Sequence, residues 1–264
     1  MQKKQINNIS SKILNTLVLE IRAYFVNRDI LVLIYGSFAI GNTNSDLDVC
    51  LITDSYTKRD IAFLKNMLRD IHIKYNLKID DEMPIESKGI YTYNDCKYII
   101  NNPPFKYRNG EFVVEDFSDD SYYLYSREAK NRLLLNIFIG RTNVLDGDVS
   151  WFLFYKDKMI ESFIICMFIS THNSPITISE FVYDMCKNPK TSREYKDYLG
   201  FSLKKDYNYL FVLISNKFHM LCLERKLVTD NGVFKVHNHY LNEFRCKTKK
   251  NIHNFNSKNH CIIY

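Results

Sequence analysis

The stretch from Leu31 to Thr53, LVLIYGSFAIGNTNSDLDVCLIT, limits the fold more than any other part of the chain. An apolar run from Ile30 to Tyr35 has the length and β-branched content of a fully buried strand. Gly36 to Asn44 follows as a small, polar turn region. From Asp46 to Ile52 polar and apolar residues alternate at period two, the pattern of a strand with one covered face. Asp46 and Asp48 then share a face, while Leu47, Val49 and Leu51 point the other way into a core. Two carboxylates held side by side repel each other unless a cation lies between them.

Oxygen donors next to a phosphate suit Mg²⁺, and a third carboxylate on a neighbouring strand completes a two-ion site with the ions about 3.5–4 Å apart. The expected third strand, Leu77 to Met83, is stopped by Pro84 and carries Asp80, Asp81 and Glu82. Asp80 and Glu82 share one of its faces; Asp81 falls on the apolar side with Leu77 and Ile79 and ranks last. Gly36 has no side chain to keep a phosphate from the backbone. Ser37 can donate a hydroxyl hydrogen bond to a phosphate oxygen, and a helical turn opening there would add exposed amides.

Gly36-Ser37, a short loop, then Ser45-Asp46-Leu47-Asp48 between apolar residues resemble the signature of the DNA polymerase beta-like nucleotidyltransferase superfamily. The motif covers about a tenth of the chain, and its loop from Ser37 to Asp46 is slightly shorter than is usual there. The whole layout is similar to single-chain, small-molecule nucleotidyltransferases of the antibiotic-modifying kind, with a helical C-terminal half. The resemblance implies an α+β fold: an N-terminal nucleotidyltransferase domain, a short mixed β-sheet flanked by helices, and a mainly helical C-terminal domain. It implies that Gly36, Ser37 and Ser45 serve the nucleotide. Asp46, Asp48 and Asp80 would bind two Mg²⁺ ions and act in catalysis, with Glu82 as the alternative third acid; Asp80 is preferred because it follows an apolar residue, Ile79. The expected reaction moves a nucleoside monophosphate, AMP from ATP by preference, to a hydroxyl of a small-molecule acceptor and releases pyrophosphate. Two rivals stay open at this point: a macromolecular acceptor, tRNA or protein, and a catalytically silent nucleotide-binding domain.

The remainder of the sequence is less specific. Residues 8 to 27 and Thr57 to Tyr75 read as amphipathic helices, and Asn109-Gly110 between KYR and EFVVEDF signals a hairpin. Helical patterns follow over 122–139, 149–170, 177–187 and 205–226. The expected domains are 1–118, catalytic, and 119–264, helical and acceptor-binding, with a basic tail. From Leu241 to Tyr264 five Lys or Arg residues oppose one acid, Glu243, which accounts for +4 of the formal charge of +6. The remaining body is near neutral, so nucleic acid is not favoured as a partner.

Seven cysteines contain no CxxC pair and read as reduced thiols in a cytoplasmic protein; Cys50 reads as a buried thiol. The apolar stretch at Phe163 to Ile169 is too short and too charged at its flank for a membrane span. His237, His239, Cys246, His253, His260 and Cys261 match no common zinc spacing. Lys88, Arg127, Lys130 and Arg132 are plausible phosphate contacts that read equally as surface charge. Oligomeric state is open.

Overall fold

A computed structural model describes residues 2–42, 45–78, 89–101, 105–108, 111–114, 127–170, 173–186 and 201–244. The chain is mixed helix and strand, α+β in the broad sense. It divides into two compact units that each take two stretches of chain: Met1–Cys96 with Leu124–Tyr155, and Lys97–Tyr123 with Lys156–Tyr264. The boundary expected at 118 lies outside the described residues.

The first unit is built on a four-stranded sheet. Its strands β1 (Ile30–Tyr35), β2 (Asp48–Thr53), β3 (Ile90–Thr92) and β6 (Asn143–Asp146) lie in the order β3-β2-β1-β6. β1 is antiparallel to β2 and β6, and β2 is parallel to β3. Helices α1 (Gln2–Tyr24) and α3 (Lys58–Tyr75) share one core with this sheet. The i, i+4 series Ile13, Leu17, Ile21 and Phe25 is buried to 1% exposure or less. It joins Ile30, Val32, Ile34, Val49 and Leu51 from the strands and Leu64, Met67, Leu68 and Ile71 from α3. Each such side chain contributes about 1.5–3 kcal/mol on burial, so this stripe anchors the sheet. The opposite face, with Leu31, Leu33, Tyr35, Cys50 and Ile52, is buried as well. Cys50 is therefore a core thiol, as its place beside the acid pair suggested.

Both ends of α3 are fixed chemically. Thr57 and Asp60 form a reciprocal capping box at its start. At its end Asn76 takes the left-handed conformation (φ 51°), and the Leu77 amide donates back to the His72 carbonyl at 2.9 Å. Of the third strand expected at Leu77 to Met83, Leu77 and Lys78 are not in a strand, and the rest, with Asp80, Asp81 and Glu82, falls outside the described residues.

In the second unit the expected hairpin forms: β4 (Phe105–Arg108) pairs with β5 (Glu111–Val114), with Arg108 opposite Glu111. α6 (Val149–Ser170) enters this unit from Lys156; α7 (Ile178–Met185) and α8 (Leu203–Leu223) follow. A small antiparallel sheet, β7 (Ile176–Thr177), β9 (Val233–Val236) and β8 (Leu227–Asp230), joins them. β8 and β9 are connected by Asn231-Gly232, both with positive φ (49° and 79°), the conformation of a type I′ hairpin. Phe168, Phe181, Phe218 and Phe234 form a cluster with ring centroids 5.0–6.1 Å apart.

The core of this unit also holds charge. Glu161, 7% exposed, accepts from Lys226 at 2.5 Å, Tyr240 at 3.0 Å and the equally buried Lys217 at 3.5 Å. Lys217 also donates to Asp157 at 2.7 Å. His237 and His239 do not share a strand face, contrary to their alternation in sequence. β9 ends at Val236, residues 238–244 are helical, and the His239 amide donates to His237 Nδ1 at 3.3 Å. Cys246, His253, His260, Cys261 and the basic residues from Arg245 onward lie outside the described residues. Among the described residues no helix is long and apolar enough to cross a membrane.

Candidate functional site

β1 runs out at Tyr35, which is the strand partner of Asp48. The chain then turns sharply into a four-residue helix, α2 (Gly36–Ala39), and returns to β2. Gly36 makes that turn with φ +69°, in the left-handed region where residues with a Cβ are strained. It also lies directly against the acid: a Cβ there would sit 2.1 Å from Asp48 Oδ2 and 3.1 Å from Asp48 Cγ. Glycine is favoured here by its backbone angle, and a Cβ would also push the Asp48 carboxylate aside. The expected neighbour at Gly36 is a phosphate drawn close to the backbone; the group that lies there in the structure is the Asp48 carboxylate.

The exit from α2 is a Schellman closure. Gly41 (φ +93°) donates to the Phe38 carbonyl, and Asn42 donates to the Ser37 carbonyl at 3.1 Å. Ser37 is half-buried at the start of this turn. Ser45, 8% exposed, spends its hydroxyl proton on the Asn42 carbonyl at 2.7 Å. Ser45 thus braces the loop from within.

Asp46 and Asp48 are each half-buried, and Leu47 and Val49 are 4% and 3% exposed. The alternation expected from the sequence survives, so both acids lean away from the shared core. The strand itself starts two residues later than the alternation suggested, at Asp48. β1 has no residue left to pair with Leu47, because Tyr35 already faces Asp48 and Gly36 turns away. The Leu47 amide instead donates to His72 Nε2 on α3 at 3.0 Å.

Two groups here carry no sequence motif. His72, 8% exposed, holds the backbone between the two acids. Tyr35 presents the second: its buried hydroxyl finds no hydrogen-bond partner among the described residues. Burial, with the charge of Asp48 next in weight, pushes that phenol well above its ordinary range, so it stays protonated. The only sequence signal for either is position. Tyr35 precedes the Gly-Ser pair, and His72 continues the apolar i, i+4 face from Leu64 and Leu68.

The structure brings Gly36, Ser37, Ser45, Asp46 and Asp48 into one segment between β1 and β2. Asp80 and Glu82 lie outside the described residues, as do the side chains of Lys88, Arg127, Lys130 and Arg132. Among the described residues, no group of three or more His, Cys, Asp or Glu side chains is placed to hold a metal ion. An open cavity of about 580 Å³ lies in the second unit, lined by Tyr183, Tyr207, Glu180 and Asp184 among others; none of the Gly36–Asp48 residues lines it.

Replacing Gly36 by alanine tests the tight packing directly. The left-handed backbone costs about 1–2 kcal/mol for a residue with a Cβ, and the contact with Asp48 adds about 1–3 kcal/mol. The expected loss is about 2–5 kcal/mol by chemical denaturation. In an Asp48→Ala background only the backbone part should remain, because the carboxylate is gone. Strict additivity of the two substitutions would show that Gly36 and Asp48 do not compete for space.

No family model, curated protein or solved structure matches the chain.

Proposed function

We propose that the chain is a Mg²⁺-dependent nucleotidyltransferase of the DNA polymerase beta-like kind, moving a nucleoside monophosphate onto a hydroxyl of a small molecule. The observation that carries the proposal is the junction of β1 and β2. A glycine in the left-handed conformation packs against one carboxylate, and a second carboxylate follows the same short loop. The donor set fits the ion: Asp46 and Asp48 supply hard oxygen ligands, which suit Mg²⁺ better than softer metals. A third ligand is sought at Asp80, with Glu82 as the alternative.

In this mechanism Asp46 and Asp48 hold the metal, and Ser37 donates its hydroxyl to a phosphate oxygen. When bound, Mg²⁺ supplies Lewis-acid chemistry: it eases ionisation of the acceptor hydroxyl and offsets charge on the leaving pyrophosphate. The third carboxylate takes the hydroxyl proton as general base. The acceptor oxygen forms a bond to the α-phosphorus, and the bridging P–O bond breaks with its electron pair leaving on pyrophosphate. His72 acts on the loop, and Ser45, expected to serve the nucleotide, also donates to the Asn42 carbonyl of the loop. ATP is the favoured donor, and AMP the group transferred.

Calorimetric titration of the intact chain with a non-hydrolysable ATP analogue tests the proposal. Binding is expected with Mg²⁺ and is expected to weaken by about tenfold or more without it, a coupling of about 1.4 kcal/mol or more. Analogues of the other three nucleoside triphosphates are titrated beside it. A folded chain that binds none of the four in Mg²⁺ ends the proposal.

A further inference from the structure

We propose that His72 is the positioning residue of this site: its neutral imidazole fixes the main chain between Asp46 and Asp48 and so sets the spacing of the two metal-binding carboxylates. This inference rests on the metal and triphosphate function proposed above.

The argument begins with an amide that the sheet cannot satisfy. β1–β2 pairing stops at the Tyr35–Asp48 rung, so among the described residues no strand takes the Leu47 N–H. Leu47 is 4% exposed, and a buried amide without an acceptor costs about 1–3 kcal/mol. His72 Nε2 supplies that acceptor at 3.0 Å. The other ring nitrogen, Nδ1, lies 2.6 Å from the Leu68 carbonyl, one turn earlier on α3. A carbonyl can only accept, so Nδ1 carries the proton and Nε2 presents its lone pair to Leu47. Both contacts are buried, and together they fix the ring's orientation as well as its tautomer.

The same residue acts through its main chain. The His72 carbonyl accepts the amides of Asn76 and Leu77, the latter at 2.9 Å, and so ends α3. Three residues after Leu77 the sequence reaches Asp80. His72 therefore grips the entry to β2 with its side chain and the exit from α3 with its backbone. Leucine at this place would fill the core but leave the buried Leu47 amide without its acceptor.

Two variants separate the roles. His72→Gln keeps an acceptor oxygen near the place of Nε2. His72→Asn is too short to reach Leu47 and keeps only a donor toward Leu68. Nucleotide-analogue binding is measured by calorimetry across a Mg²⁺ series for wild type and both variants, each first shown to melt cooperatively. For His72→Asn the Mg²⁺ concentration at half-effect is expected to rise about 10–100-fold, the usual cost of losing a group that orients metal ligands. Binding should return at saturating Mg²⁺, and His72→Gln should stay within about threefold of wild type.

Wild type that shows no Mg²⁺-dependent binding overturns the function proposed above and this inference with it. Wild type that binds while His72→Asn matches it overturns this inference alone. The ¹⁵N spectrum of the wild-type imidazole gives an arm that needs no variant. A proton on Nδ1 with Nε2 bare is expected, and a proton on Nε2 overturns the assignment even if His72→Asn fails to fold.

Discussion

The Asp46→Asn/Asp48→Asn double variant is expected to lose Mg²⁺-dependent nucleotide binding and at least about a thousandfold in nucleotidyl transfer, while its fold survives. Metal stabilisation of a developing phosphoryl charge is worth several kcal/mol, and each 1.36 kcal/mol is tenfold in rate. Asparagine keeps the shape of both side chains and removes the two charges proposed to hold the ion. Both positions are half-buried and outside the shared core, and the Leu47 amide still reaches His72. Stability in the absence of metal should therefore change by no more than about 1 kcal/mol, or about 2–4 °C in Tm. The measurements are turnover against a panel of hydroxyl acceptors and a thermal melt with and without Mg²⁺. Wild type should gain Tm from Mg²⁺ with nucleotide, and the variant should gain none. Transfer that survives in the double variant would place the metal elsewhere and defeat the assignment of these two acids.

What the sequence disclosed about this site follows from what periodicity can encode. Ile30–Tyr35 forms over the residues expected, because a run of six apolar residues is buried on both faces and needs no partner to be recognised. α6 likewise follows its pattern from Val149 to Ser170. β6 was hidden: four residues, none of them fully buried, between Gly140 and Gly147 resemble a link, and only pairing with β1 makes them a strand. β3 has buried residues in Ile90 and Tyr91 but is only three residues long, too short for an alternation to register. The hairpin at Asn231-Gly232 carried the same dipeptide signal as Asn109-Gly110, but its strands of four residues sit between a long helix and a basic tail. Asp46, Asp48 and Gly36 could be singled out because their chemistry is written in local spacing. His72 could not, since nothing between residues 47 and 72 in the sequence says that an unpaired amide will meet that imidazole.

Removing the buried charge at Glu161 is expected to cost the second unit about 3–5 kcal/mol, the usual penalty for leaving one member of a buried ion pair alone. Lys217 is the member left behind. It is 7% exposed, and its remaining partner, Asp157, is 53% exposed and held in water for much of its surface. Lys226 loses less, because it is partly exposed and keeps Glu224 at 2.7 Å. Glu161→Leu should therefore destabilise strongly, and adding Lys217→Met should restore part of the loss, since apolar pairs of similar volume often replace buried ion pairs without cost.

The same network fixes a pH dependence. Burial alone would raise the Glu161 carboxyl, but the Lys226 hydrogen bond and charge, the charge of Lys217 and the Tyr240 hydroxyl outweigh it and hold it below the ordinary value of 4.5. A carboxylate depressed in the folded state adds stability that is fully present above its unfolded value and is lost as pH falls through the folded one. Wild type should thus lose stability below about pH 4.5 more steeply than Glu161→Leu, as followed by urea midpoints across that range. Parallel acid profiles for the two proteins, or a Lys217→Met addition that deepens the loss, would show that Glu161 does not hold this core together through its charge.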